Sequence, residues 1–154
     1  LPISLEALSA DLSTFVPGRR VDDDVRVQLR FAGGARGQLW ASQVAVGATN
    51  GLRLRVFGEN AGLEWAQEEP DLLRFTPLGE APRILRRGGL GLSAAAAAAP
   101  RLPAGHPEGY LEGFAQIYAD AAALVSAHRD GRAPDALASL VPGVQDGWPS
   151  SRPS

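Results

Sequence analysis

The feature that most constrains this chain is a change of hydrophobic period part-way along it. From Leu5 to about Leu85 apolar and polar residues alternate, and from about Pro107 to His128 apolar residues recur at helical spacing. In the first stretch Val25, Val27, Leu29 and Phe31 alternate with Arg26, Gln28 and Arg30, the pattern of a strand with one polar face. Leu52, Leu54 and Val56 alternate in the same way with Arg53 and Arg55. The second stretch places Tyr110, Phe114, Ile117, Tyr118, Ala121 and Val125 on one side of a helix. Strands followed by one long helix predict an α+β fold.

Punctuation supplies the connections. An early strand is expected over Leu8 to Phe15. Ala32-Gly33-Gly34-Ala35 predicts a tight hairpin into a strand from Arg36 to Val46. Gly58 to Gly62 turns the chain again, Leu63 and Trp65 return it, and Asp71 to Thr76 continues between Pro70 and Pro77. Such short connections favour a large, open, mainly antiparallel or mixed sheet. The helix, about 107–129, is expected to pack on one face of it, with Pro107 in the first helical position, Glu108 at the positive end of the dipole and Gly131 as the stop. The other face, with Arg26, Gln28, Arg30, Arg53, Arg55, Trp40 and Phe57, is too polar for a core of its own and too broad to be idle. Homo-oligomerisation through that open face is the expectation. Residues 86–107 break both periods, and Ala94–Ala99 reads as low-complexity filler in preference to a short packed helix.

Composition narrows the class. A chain of 154 residues with no cysteine needs no disulfide to hold a core and has no thiolate metal site. That usage suits a reducing cytoplasm. A net charge of -2 points to neither nucleic acid nor an anionic membrane. No apolar run approaches the ~20 residues of a membrane span. All fifteen basic residues are arginine, so no lysine is available for Schiff-base or proton-transfer chemistry. Methionine is also absent, which leads us to expect that Leu1 is an internal residue of a longer protein.

The tail, 147–154, has no periodicity and is expected to be irregular. One coding of its first residues, with a base restored in front, reads Met-Ala-Phe-Val-Glu-Ala, so a frameshift product stands beside a native disordered end. The codons of the gene decide between them.

Several segments in order resemble the C-terminal domain of the Gfo/Idh/MocA family, named for glucose–fructose oxidoreductase and inositol dehydrogenase. They include Val21-Asp22-Asp23-Asp24, Gly33-Gly34-Ala35-Arg36-Gly37-Gln38-Leu39, and Ala41 to Gly47. Val56-Phe57-Gly58-Glu59-Asn60-Ala61-Gly62-Leu63-Glu64-Trp65 follows, and Gly105-His106-Pro107-Glu108-Gly109-Tyr110 completes the set. The resemblance implies that residues 1–146 form the substrate-covering and oligomerisation domain of an oxidoreductase acting on a sugar, polyol or related hydroxy compound. It implies NAD or NADP bound by a Rossmann domain that this chain lacks. The family's Glu-Lys-Pro motif is absent, as are the Asp and His that it places on a helix before this sheet. Gly88-Gly89-Leu90-Gly91 does not open a dinucleotide-binding unit. The chain alone is therefore expected to be inactive and to bind no cofactor. The alternative is a non-catalytic sheet module for oligomerisation or partner binding.

No residue is assigned a catalytic, cofactor-binding or metal-binding role. His106, Gln43 and Arg20 are the candidates for substrate contact. His106 sits between Gly105 and Pro107 at the expected helix entry, where it serves either a ligand or the turn itself as an N-cap. Gln43, on a strand among apolar neighbours, points its carboxamide at a sugar hydroxyl or bonds within the sheet. Arg20, with Arg19, grips an anion or pairs with Asp22–Asp24. His128 reads as a solvated partner of the helix dipole, and Glu68 with Glu69 as a surface turn.

Overall fold

The computed structural model describes residues 4–144, and the irregular tail expected at 147–154 lies outside them. The described chain forms two compact units, one holding residues up to Ala48 together with those from Pro142, the other Thr49–Val141.

The first unit contains an antiparallel meander of β1 (Leu5–Ser13), β2 (Asp24–Phe31) and β3 (Arg36–Ser42). Its register aligns Leu12, Val25 and Ala41, then Ala10, Val27 and Leu39, so the period-two pattern becomes one apolar face. The β2–β3 connection is the expected tight one, with Gly33 and Gly34 at φ of 80° and 91°. Gly37 is closely packed. A Cβ there would stand 3.1 Å from the Phe31 ring and 3.3 Å from Leu29 Cδ1. Strand β3 ends at Ser42 and does not reach Val46; one further backbone bond, from the Gln43 N–H to the Asp23 carbonyl, follows its last paired residue.

The second unit holds β4 (Arg53–Phe57), β5 (Ala61–Ala66), β6 (Leu72–Pro77) and β7 (Arg83–Arg86), again in sequential antiparallel order. Leu54, Trp65, Leu73 and Leu85 share one row, and Val56, Leu63 and Phe75 the next. On the opposite face Arg55, Glu64 and Arg74 lie side by side, an alternation of sign that suits neighbouring strands. The strands are open and antiparallel, as expected, but they divide into two sheets of three and four.

The polyalanine run forms a five-residue helix, α1 (Ala94–Ala98), that is exposed throughout, so it is regular but not packed. Ser93 caps it, its hydroxyl accepting from the Ala96 N–H at 3.2 Å. Helix α2 (Tyr110–Arg129) is the long helix, ending at Asp130 and Gly131 as expected. It starts three residues later than Pro107, with Gly109 as its N-cap. The apolar stripe also faces outward. Tyr110, Phe114, Ile117, Tyr118 and Val125 are all exposed, from 47% to 74%. The helix instead turns Glu112, Ala115, Gln116, Ala123 and Leu124 inward, with Ala127 buried against the short turn at Ala138–Leu140. Ala127 and Ala138 are the only fully buried apolar residues among those described.

Candidate functional site

The acidic triplet before β2 is structural. Asp23, almost fully buried, accepts from the backbone N–H groups of Phe15 (2.8 Å) and Val16 (3.0 Å) and pairs with Arg19 at 3.3 Å. The Phe15 N–H is the main reason its carboxyl is held below the usual range; burial opposes this, and Val16 and Arg19 add to it. Asp24, also buried, accepts from the Trp40 indole N–H at 2.8 Å and lies 3.4 Å from Arg26.

These pairings separate the two candidate arginines. Arg19 is committed to Asp23, whereas the exposed Arg20 has no side-chain partner among the described residues. Gln43 is also exposed. It lies just past β3 and not on a strand among apolar neighbours, and its backbone, not its carboxamide, makes the bond to Asp23. Arg20 and Gln43 belong to the first unit and His106 to the second.

His106 is not the helix N-cap, which is Gly109. Its backbone is bonded on both sides: its N–H donates to the Pro103 carbonyl at 3.2 Å, and its carbonyl accepts from Arg87 Nη2 at 2.5 Å. Its ring is exposed and has no hydrogen-bond partner among the described residues. His128 is exposed in the last turn of α2, as expected.

The loop before α2 is organised by Arg87 and Glu108. Arg87 donates through Nε to Asp71 Oδ1 (2.5 Å) and through Nη1 to the Leu102 carbonyl (2.9 Å), with Glu108 Oε2 2.8 Å from Nη1. Glu108 in turn accepts from the backbone N–H groups of Arg101 and Leu102, both at 2.9 Å. Burial pushes the Glu108 carboxyl upward, but those two N–H groups and the Arg87 guanidinium outweigh it and hold it low. Asp71, the first cause, together with Glu108 raises Arg87 further against its burial. A shallow hollow of about 340 Å³ adjoins this cluster, lined by Pro70, Asp71 and residues 107–112. Its carboxylates are already engaged: Asp71 and Glu108 as above, and Glu112 by the Gly109 N–H at 2.8 Å. No cluster of metal-ligating side chains occurs among the described residues.

Sequence reasoning missed Arg87. Nothing local distinguishes it from Arg86, yet the fold leaves Arg86 exposed and draws Arg87 inward. Glu68, read as a surface turn, accepts from the Gly51 N–H at 2.6 Å, which lowers its carboxyl and ties the loop before β4 to the one after β5. The residues present do not suit a dinucleotide. Gly88–Gly91 joins an antiparallel edge strand to a five-residue helix, not a parallel strand to a helix long enough to receive a pyrophosphate.

Residues 3–64 match the family model described as the GFO/IDH/MocA C-terminal domain. Over 117 residues the chain is 33% identical to the oxidoreductase YfiI of Bacillus subtilis (strain 168), a match covering 75% of this chain and 30% of that protein. A solved oxidoreductase from Sinorhizobium meliloti is 49% identical with a TM-score of 0.87, over 94% of this chain and 40% of that one. An inositol dehydrogenase homolog from Azotobacter vinelandii, solved with NADH and myo-inositol, is 32% identical with a TM-score of 0.80, over 92% of this chain and 37% of that one. The chain thus spans 30–40% of the length of these relatives. No helix among the described residues is long and apolar enough to cross a membrane.

Proposed function

The chain carries a Gfo/Idh/MocA C-terminal domain, and from that premise we propose that it is the substrate-covering and assembly domain of an NAD(P)-dependent oxidoreductase acting on a polyol or sugar. The observation that carries this reading is the outward apolar stripe of α2, from Tyr110 to Val125, on a domain with only two fully buried apolar residues among those described. Full burial of one large apolar side chain is worth roughly 1.5–3 kcal/mol. A half-exposed stripe therefore leaves several such increments for a neighbouring surface to supply. Within the same unit, the exposed Arg55 and Phe57 of β4 add to the area open to a second copy.

In this reading the nicotinamide cofactor, bound by a Rossmann domain outside this chain, exchanges hydride with a carbon bearing a hydroxyl or carbonyl. This chain contributes orientation, not proton transfer. The ring of His106, the guanidinium of Arg20 and the carboxamide of Gln43 are exposed and uncommitted to other side chains, as substrate-contacting groups need to be. The myo-inositol bound by the Azotobacter vinelandii relative supports a polyol as the substrate class.

The test compares the 154-residue chain with the full-length enzyme that contains it. The isolated chain should show neither NADH binding by fluorescence nor turnover. The full-length enzyme should oxidise myo-inositol or a related polyol and sediment as an oligomer. Turnover by the isolated chain, or a monomeric full-length enzyme, would contradict the proposal.

A further inference from the structure

The loop between α1 and α2 has no regular structure, yet its course is set by two charged side chains that are largely withdrawn from water. Arg87 is 16% exposed and Glu108 is 7%. Burying such a pair carries a desolvation cost that apolar packing would avoid. What the pair supplies is geometry. The planar guanidinium fork addresses Asp71, the Leu102 carbonyl and the His106 carbonyl in three fixed directions. Glu108 holds the N–H groups of Arg101 and Leu102 from the other side.

The effect converges on one residue. His106 has its N–H and its carbonyl both bonded, while its ring is exposed and unbonded among the described residues. Its neighbours restrict it further. Gly105 takes a φ of +87° that turns the chain, and Pro107 biases the residue before it towards extended backbone. A backbone held from both sides beneath a free side chain suits a group whose direction matters more than its packing.

We propose that Arg87, acting with Glu108, is the positioning residue for His106, aiming the imidazole at a polyol hydroxyl. This rests on the substrate contact proposed for His106, and the test separates the two. In the full-length enzyme, the probe is myo-inositol with NAD+, and the variants are R87K, E108Q, H106A and the double variant R87K/H106A. Hydrogen exchange at the amides of Arg101 and Leu102 should accelerate at least about tenfold in R87K, with the amides of α2 unaffected. KM for myo-inositol should rise about tenfold in both R87K and H106A with kcat within about threefold, and the double variant should be no worse than H106A. E108Q, which keeps a carbonyl oxygen for one amide, should fall between wild type and R87K.

Unchanged amides in R87K, or an R87K penalty that adds in full to that of H106A, would overturn the positioning role alone. An unchanged KM in H106A, or no wild-type response to myo-inositol, would overturn the polyol contact and the positioning role with it.

Discussion

The backbone of Gly109 lies so close to Pro70 that a Cβ on the glycine would stand 2.8 Å from Pro70 Cγ. This contact joins the start of α2 to the turn between β5 and β6, within the same unit as the Arg87 cluster. Gly109→Ala should therefore destabilise the domain by about 1–3 kcal/mol, the range for overpacking. Gly113, four residues on, has nothing within 4 Å of an added Cβ. Gly113→Ala should stabilise by about 0.5–1 kcal/mol, because it raises helix propensity without a clash. Urea unfolding of both variants checks the opposite signs, and equal effects would remove the contact as the cause.

Asp23 predicts an acid limb. Its folded carboxyl is lowered first by the Phe15 N–H, so its contribution is fully present above the ordinary value of 3.8 and is lost as pH falls through the lower folded value. Stability should thus decline below about pH 4. Asp23→Asn should be less stable than wild type at neutral pH and show a shallower decline in acid. Urea midpoints measured across that range decide it; parallel curves for the two proteins would refute the assignment.

The two sides of α2 should respond differently to substitution. Ala127 is 1% exposed, and Ala127→Leu should cost about 1–3 kcal/mol by overpacking. Phe114 is 47% exposed, and Phe114→Ser should change the stability of the isolated chain by less than about 1 kcal/mol. On the assembly role proposed for this face, the Phe114 variant of the full-length protein should lose assembly. Calorimetry on the chain and sedimentation of the full-length protein test the two halves.

Trp40 and Arg26 share one buried carboxylate unequally. Trp40→Phe removes the 2.8 Å bond to Asp24 and should cost about 1–2 kcal/mol, because a buried acceptor loses its better partner. Arg26 is 64% exposed on its side chain, and Arg26→Gln should cost under about 1 kcal/mol. Thermal midpoints in the reverse order would show that the arginine, not the indole, satisfies Asp24.

The candidate site was only partly legible before the fold was known. Gly105-His106-Pro107-Glu108 stands out locally because a histidine between a turn glycine and a proline is strongly restricted. What Glu108 does there is not local. The helix dipole suggests a place for it in the first turn, but the amides of Arg101 and Leu102 take it instead, and α2 starts after it. Gln43 was misplaced for a similar reason, since strand pattern continues to Val46 while pairing ends at Ser42.

What the sequence determined by itself is periodic and short-range. Alternation marked the strands, Gly33-Gly34 marked the hairpin, Gly131 marked the end of α2, and the ordered motifs marked the family. Periodicity says which residues share a face, because strand and helix geometry are local. It does not say which face meets the rest of the molecule, and for α2 the small and polar side turned inward. The division into two sheets and the meeting of Arg87 with Asp71, Leu102 and His106 were decided only by tertiary structure. Those contacts depend on segments 15 or more residues apart, and no window of sequence records which of two adjacent arginines the fold will bury.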